Sequence, residues 1–554
     1  MAKMTGSQFV AETIKSYGVD HIFFVPAVLY QLLSDFEKIG GKAVMAHSEK
    51  SAAYMADGYA RARNGPGVAF GQSVGAVNLA AGLQDAFLAL SPVITLTGRR
   101  QPGWRQRHSY QEIDHRAPFD AVTKFNAEVE TQAELPMLLR QAFRAAVTGA
   151  TAPTHLDLPG ISGTELMGEG DFEVVPEPRF GKQPPFRALP DPADIEAVAV
   201  LLRNSKRPAI VAGGGVTTSG AAAELRELIE KLNIPMAYAL NAKGQVPDDH
   251  PLNVGMVGSY SRSSANKFIR EADFVLYIGS RTGSQVTHDW KIPGPGVKVA
   301  QIDVEGEELG RNYPNAASVL GDARESLRAL LNIVDPVPNR AAWLGRYREI
   351  VADWTAEQQG YWESDAIPMR PERVCKEISD ALPDDGVVVV DTGHNAMWAG
   401  MFLDVNKPQQ QFLRCAGSLG WAFPAAIGAK YAVGERAVVC FTGDGGLWYH
   451  FTELETAVNQ GLPFVTVVND NRSFNQTQGG VRRAFEDNPG GGDNIWKFTD
   501  VDFAAVAQEM GGVGMKVTRP DELGAAIDEA IKADRPVIID AKTDPAAMAP
   551  LAWG

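Results

Sequence analysis

The stretch AVVCFTGDGG, residues 437–446, decides how the chain is read. An apolar run of strand length passes into Gly443-Asp444-Gly445-Gly446, and a helical pattern is expected from near Leu447. Glycines at a strand-to-helix turn let backbone amides approach a phosphate, and the N-terminus of a helix favours negative charge. Asp444 adds a hard oxygen ligand, although the same residues also read as a tight turn with an N-capping aspartate. One helix and one strand later, FVTVVND ends at Asp470-Asn471-Arg472-Ser473. In a parallel sheet both strand ends open on one crevice, so Asp444 and Asn471 can converge on a cation. Carboxylate, amide and backbone carbonyl oxygens suit octahedral Mg²⁺. An Asx-turn after a strand is the plainer alternative.

Outward from this point, strand-length apolar runs alternate with helical patterns, the signature of parallel α/β sheets. Near the N-terminus Thr5 can cap a helix reaching about Tyr17, and HIFFV, GVAF, PVITLTG and THLDLP follow as strands. The Pro- and Gly-rich stretch from about Gly160 to Pro190 has no steady period and reads as a connector. A second series runs from PAIVAGGG through KVAQIDV, and a third, beginning near Arg370, contains VVVVD, AVVCFTGD, FVTVVND and PVIIDAKTD. The expected fold class is therefore α/β, with three consecutive parallel-sheet domains at 1–180, 190–335 and 365–554. A length of 554 residues agrees with about three domains at ~100–200 residues each.

Composition excludes several roles. With 52 Lys+Arg against 67 Asp+Glu the net charge is -15, so the molecule repels phosphate backbones and anionic lipid, and no nucleic-acid or membrane partner is expected. Cys375, Cys415 and Cys440 have neither CxxC spacing nor a disulfide pattern. The N-terminal MAKMTGSQFV lacks the apolar core of a signal peptide, and a cytoplasmic protein is expected.

A second feature is His47-Ser48-Glu49-Lys50, which opens the helical segment EKSAAYMADGYARA. Ala52, Ala56 and Ala60 give it a tightly packing face, and Glu49 alone reads most simply as a carboxylate that stabilises the helix dipole. Taken together, these features resemble the thiamine diphosphate (ThDP) enzymes of the acetolactate synthase, 2-hydroxyacyl-CoA lyase and oxalyl-CoA decarboxylase group. The family's metal motif appears as Gly443-Asp444-Gly445 through Asp470-Asn471, and its catalytic glutamate as Glu49 ahead of Gly58-Tyr59-Ala60-Arg61. Gly417-Ser418-Leu419-Gly420-Trp421 looks like the family's loop under the thiazolium ring. The resemblance runs over essentially the whole chain, in the order pyrimidine-binding, central and diphosphate-binding domain.

The resemblance implies roles. Glu49 would hydrogen-bond the aminopyrimidine ring and favour its imino tautomer. Leu419 would be the apolar wedge that bends the cofactor, with Gly417 beside it. Asp444, Asn471 and the backbone carbonyl of Ser473 would hold Mg²⁺ on the diphosphate, with Gly443, Gly445 and Gly446 around it. Asn78, His394 and Asn395 stand at further family contact positions. Glu49 and the metal motif would come from different subunits, which implies a homodimer at minimum and a homotetramer as the fuller assembly. The pattern also departs from the family: its Pro-Gly turn is Pro26-Ala27, its GPGxxN is Ser73 to Asn78, and its Asn-Asn is Asp470-Asn471.

For the reaction, Tyr110-Gln111-Glu112 resembles the FQE segment of acetolactate synthases and the YEE segment of oxalyl-CoA decarboxylases. Gln111 would orient the substrate carbonyl, with Tyr110 beside it as a second candidate catalytic residue. The polar, Gly-rich NQTQGGVRRAFEDNPGGGDN after Phe474 has the character of a lid. Arg99, Arg100, Arg105 and Arg107 form a basic loop in an acidic chain. They read either as solvated surface or as partners for the phosphates of a CoA thioester. The expectation is thus a ThDP- and Mg²⁺-dependent C-C lyase or ligase acting on a small-molecule substrate. Cleavage of a 2-hydroxyacyl-CoA, or the reverse condensation, stands first. The alternatives are an acetolactate-synthase-like decarboxylating condensation of 2-oxo acids and an oxalyl-CoA decarboxylase-like activity. A non-catalytic paralogue is disfavoured by the intact Glu49, Asp444, Asn471 and Leu419. Gly213-Gly214-Gly215, Gly279-Ser280-Arg281 and Asp303 stand where relatives bind FAD or ADP.

Overall fold

Long β-branched runs such as Val387-Val388-Val389-Val390, buried along their whole length, are suited to parallel strands covered on both faces. The computed structural model of the chain describes residues 2–550 except Asn339 and Pro489, and it holds three six-stranded parallel sheets. In the first and third, counting strands from each domain's N-terminus, the order is 2-1-3-4-6-5. The middle sheet has the order 3-2-1-4-5-6. In each sheet the chain switches from one side of its first strand to the other, and ligand crevices of parallel sheets open at that point, outside the carboxyl ends of the strands.

Thr5 caps the first helix, Gly6–Ser16, through a reciprocal capping box with Gln8. The connector differs from expectation. Glu169–Phe172 forms a strand that pairs antiparallel with Ala2–Thr5, so part of this segment folds back onto the start of the chain. Neither short strand carries the long apolar run by which a buried strand is recognised. Of the two edge strands of the third sheet, Gln411–Arg414 is half-polar and Val513–Val517 is only partly buried. All three cysteines are free and buried. Among the described residues no helix is long and apolar enough to cross a membrane.

The first and third domains share one continuous core, while the middle domain packs on the opposite side of the third. The first-to-third contact is built on two helices, Glu49–Arg63 and Ala422–Val433, whose backbones nearly touch. A Cβ on Gly58 would lie 2.0 Å from the Ala425 carbonyl oxygen, and one on Gly428 would lie 1.8 Å from that of Met55. Two glycines, one on each helix, therefore set the approach that carries Glu49 at one helix end.

Candidate active site

Three strand ends meet at the crevice of the third domain. The strand Val387–Val390 runs into Asp391, Val438–Gly443 into Asp444, and Val465–Asp470 into Asn471. Parallel register, with Val390 beside Phe441 and Gly443 beside Asn469, keeps these ends level. Asp444 and Asn471 are both buried, and Ser473 joins them. Its amide donates to Asp444 Oδ2 at 2.9 Å, and its hydroxyl donates to Asn471 Oδ1 at 2.8 Å. The structure thus gathers the three residues expected to bind metal.

Their chemistry fits a hard cation. Burial and the neighbouring Asp470 carboxylate hold the Asp444 carboxyl well above the usual aspartate range. Asp470 is paired with Lys542, whereas among the described residues Asp444 has no cationic partner. A buried carboxylate without a countercharge, beside an amide oxygen and a backbone carbonyl, matches the donor set of Mg²⁺. Among the described residues no three His, Cys, Asp or Glu side chains are grouped to hold a metal, so a cation here would also rely on oxygens of a bound ligand.

The glycines leave no room for side chains. A Cβ on Gly446 would lie 2.7 Å from Asp391 Oδ2, and one on Gly445 would lie 2.6 Å from the Phe474 ring. The helix expected from near Leu447 instead spans Asp444–Leu447 and ends there. An anion would accordingly meet the amides of a single turn rather than the end of a long helix. Gly393, with φ of 69°, turns the chain into the helix His394–Phe402. There His394 Nδ1 lies 2.7 Å from Asn475 Oδ1, and Asn395 Oδ1 accepts from Asn469 Nδ2 at 2.8 Å. Burial lowers the pKa of His394, which favours the neutral ring. The lid-like segment is folded, with a short helix at Gln478–Ala484.

Gly417 and Leu419 lie on the loop that follows the strand Gln411–Arg414. Gly420 closes this loop with φ of 87°, and its amide reaches both Asp391 oxygens at 3.1 Å. Burial pushes the Asp391 carboxyl up to about 6.

In the first domain Ser48 caps the helix that begins at Glu49. Glu49 Oε2 accepts from Asn78 Nδ2 at 3.2 Å, and a Cβ on Gly75 would lie 2.2 Å from Glu49 Oε1. Gly75 and Asn78 belong to the helix Ser73–Leu88, whose first residue donates its hydroxyl to the Gln111 carbonyl at 2.5 Å. Gln111 has φ of 60°, and its Oε1 is buried without a hydrogen-bond partner among the described residues. Tyr110 is 73% exposed, so it stands outside this cluster. Among the described residues no hydrogen bond or ion pair joins Glu49 to the Asp444 crevice.

The basic loop is largely spoken for. Arg99 is buried against Glu130 at 3.0 Å, Arg105 pairs with Glu128 at 2.6 Å, and Arg100 holds the Tyr110 carbonyl. Of the four arginines Arg99 and Arg105 are ion-paired and Arg100 is turned to a backbone carbonyl, so the loop is not a set of four free phosphate partners. Sequence reading overlooked Asp391 and Asp85, two buried carboxylates. The signal for Asp85 is an acid inside the apolar NLAAGLQDAFLAL.

Comparison with known proteins gives three matches in chain order. Residues 4–117 match the profile described as "Thiamine pyrophosphate enzyme, N-terminal TPP binding domain", residues 195–330 match "Thiamine pyrophosphate enzyme, central domain", and residues 391–541 match "Thiamine pyrophosphate enzyme, C-terminal TPP binding domain". The chain belongs to the thiamine diphosphate enzyme family. This ThDP enzyme is 33% identical to a probable acetolactate synthase large subunit of Methanocaldococcus jannaschii, over 99% of the chain and 93% of the relative. It is 31% identical to another of Methanococcus aeolicus, over 98% and 92%. With the acetolactate synthase isozyme 2 large subunit of Escherichia coli K12 it shares 28%, over 98% and 96%.

The ThDP enzyme has a second concavity at the reversal of strand order in its middle sheet. Gly213–Gly215 and Gly279–Arg281 flank a cavity of about 370 Å³ that Asn64 and Arg414 close from the other two domains. Asp303 stands on its wall, and burial raises its carboxyl to about 6.

Proposed function

We propose that the chain is a ThDP- and Mg²⁺-dependent carboligase of the acetolactate synthase type, condensing 2-oxo acids with loss of CO₂. The end-to-end likeness to acetolactate synthase large subunits carries this reading over cleavage of a 2-hydroxyacyl-CoA. The ion pairs of Arg99 and Arg105, with Arg100 turned to the Tyr110 carbonyl, also weaken the feature that favoured a CoA thioester.

When bound, ThDP supplies an acidic C2 carbon and an electron sink for the pair released as a C-C bond breaks. Asp444, Asn471 and the Ser473 carbonyl would hold Mg²⁺ against its diphosphate. The amides of Gly443 to Gly446, with His394 and Asn395, would face the diphosphate oxygens. Leu419, with Gly417 beside it, would press from below as the wedge. Glu49, steadied by Asn78, would hold a proton at the aminopyrimidine and so promote removal of the C2 proton. Gln111, whose Oε1 is buried without a partner, would turn its amide to the substrate carbonyl. Tyr110, exposed on the same loop, would stand at the mouth of the site.

The working unit would be at least a homodimer in which Glu49 of one subunit faces Asp444 of the other. Exposed Val74 and Val77 beside Asn78, and exposed Trp448 and Tyr449 after the Gly443–Gly446 turn, support a partner at both halves. The cavity of the central domain would take FAD or ADP, as expected of its glycine turns.

A substrate panel tests the reading. Purified protein is given pyruvate, a mixture of pyruvate and 2-oxobutyrate, oxalyl-CoA, or a 2-hydroxyacyl-CoA, each with and without ThDP and Mg²⁺. Release of CO₂ with formation of a 2-hydroxy-2-methyl-3-oxo acid from pyruvate is the expected result. Turnover confined to either CoA thioester would overturn it.

A further inference from the structure

The wedge loop is gripped by two buried carboxylates from different domains. Asp391 takes the Gly420 amide, as described above. Asp85, fully buried on the helix Ser73–Leu88 of the first domain, takes the other end. The Ala416 amide reaches Asp85 Oδ1 at 2.8 Å and Oδ2 at 2.9 Å; the Gly417 and Ser418 amides reach Oδ2 at 3.1 and 3.0 Å. Three successive amides thus converge on one carboxylate. Of the residues 416–420, Leu419 alone makes no amide bond to either acid, and it lies between the two anchored ends.

Asp85 is itself locked. Arg61 Nη2 reaches it at 2.8 Å, while Arg61 Nε donates to Asp57 Oδ1 at 2.7 Å and Arg61 Nη1 to the Arg414 carbonyl at 2.6 Å. Asp57 accepts from the Trp421 indole at 2.9 Å, and the Arg61 guanidinium lies 4.6 Å from the centre of that ring. Residues on both sides of the loop, Arg414 and Trp421, are therefore tied to the same buried cluster. A buried charge that neither paired with a cation nor accepted several hydrogen bonds would carry a large desolvation cost, so full satisfaction is what keeps this carboxylate in place. The helix that bears Asp85 also bears Gly75 and Asn78, the two residues in contact with Glu49.

We propose that Asp85 is a positioning residue for the wedge: its carboxylate fixes residues 416–418 so that Leu419 is presented in one conformation. It would touch neither substrate nor cofactor. Its effect on catalysis would run through Leu419, and this step rests on the ThDP reading above. Because one rigid helix contacts Glu49 at its start and holds the wedge loop near its end, the two parts of the machinery carried by one chain would be set by a single element.

The test compares wild type with Asp85→Asn, Asp85→Ala and Leu419→Ala. In the protein without ThDP, hydrogen-deuterium exchange of the 416–418 amides should accelerate at least tenfold in Asp85→Ala, and less in Asp85→Asn, which keeps one acceptor oxygen. With ThDP and Mg²⁺ bound, exchange of the cofactor's C2 proton should slow about ten- to hundredfold in Asp85→Ala, with the binding constant for ThDP changed less than about threefold, since the diphosphate site is untouched. The double variant Asp85→Ala/Leu419→Ala should be no slower than the more impaired single variant. Wild-type amide protection and wild-type C2 exchange in both Asp85 variants would overturn the proposal. If Asp85→Ala fails to fold, Asp85→Asn alone decides by the same two readouts. Failure of the wild-type protein to bind ThDP would strike the functional reading instead, while the amide exchange measured without cofactor would still test the grip of Asp85 on the loop.

Discussion

Gly75 lies so close to Glu49 that a methyl group on it would sit 2.2 Å from Glu49 Oε1 and 2.9 Å from Glu49 Cγ. The carboxylate is thus held by an absence on one side and by the Asn78 amide on the other. Gly75→Ala should displace Glu49 by about an ångström and lower kcat about a hundredfold, with a small change in the KM for the 2-oxo acid. Glu49→Gln, which keeps the volume and removes the ionisable group, should cost about 10²–10⁴. Steady-state kinetics check both. Near-wild-type kcat in Gly75→Ala would mean that the position of Glu49 is not set by this contact.

The crossing of the helices Glu49–Arg63 and Ala422–Val433 predicts stability rather than activity. Alanine at Gly58 or Gly428 must push the two backbones apart, which should cost about 1–3 kcal/mol or more. Gly306→Ala, where nothing lies within 4 Å, is the control and should stay within about 0.5 kcal/mol. Thermal denaturation at one fixed protein concentration reads the difference. Equal transition temperatures for Gly58→Ala and the control would show that the crossing can relax.

Asp444 is a buried carboxylate without a cationic partner among the described residues, so its charge is a liability until a cation arrives. Asp444→Asn should leave the protein at least as stable as wild type in the presence of a chelator. At a fixed saturating Mg²⁺ concentration, adding ThDP to about a hundred times its binding constant should stabilise wild type by about 2.7 kcal/mol and the variant far less. Chelation should abolish activity and added Mg²⁺ should restore it. A variant stabilised by Mg²⁺ and ThDP as strongly as wild type would place the metal elsewhere.

His450 gives a pH dependence. Its Nδ1 lies 2.8 Å from the Ser51 hydroxyl, its ring stands edge-on to Tyr54, and burial, with a smaller contribution from Lys50, lowers its pKa to about 4. The folded state favours the neutral ring, so this stabilisation is complete above the unfolded pKa of about 6.5 and is lost as pH falls through about 4. The loss should approach about 3 kcal/mol at the acid end. Urea denaturation at pH 7.5 and pH 4.5 should therefore differ less in His450→Gln than in wild type. Parallel pH profiles for the two proteins would count against the assignment.

The sequence made the strands legible where they are long, apolar and central. Val387 to Val390 and the run before Gly443 can be nothing else in an alternating chain, and the turn chemistry after them marked the crevice. An edge strand such as Gln411–Arg414 carries a half-polar pattern and is not among the strands the sequence reading names. The same limit hid Asp85. An acid within an apolar helix shows that something must satisfy it, but besides Arg61 its partners are backbone amides more than 330 positions away that carry no side-chain signal. Glu49 taken alone reads as a carboxylate on the helix dipole, and only the resemblance carried by Gly58-Tyr59-Ala60-Arg61 behind it marked it as a site residue; the small residues on its helix signalled the close packing alone. Pairing in the basic loop was not legible because arginine count says nothing about it: Glu128 and Glu130, the partners of Arg105 and Arg99, come from the next strand and the turn after it.

The proposed division of the site between subunits makes a quantitative prediction. Glu49→Gln and Asp444→Ala should each inactivate a pure dimer. If Glu49 of one chain faces Asp444 of the other, a mixed dimer of the two variants has one doubly damaged centre and one intact centre. After unfolding and random reassociation of equal amounts, half of the dimers are mixed, each with one intact centre of two, so activity should recover to about a quarter of wild type. If Glu49 and Asp444 of the same chain share a centre, every centre in the mixture carries one lesion and activity should stay at the level of the separate variants. Exposed Val74 and Val77 on one half and Trp448 and Tyr449 on the other favour the first outcome, because a second copy that brought the halves together would bury their apolar surface.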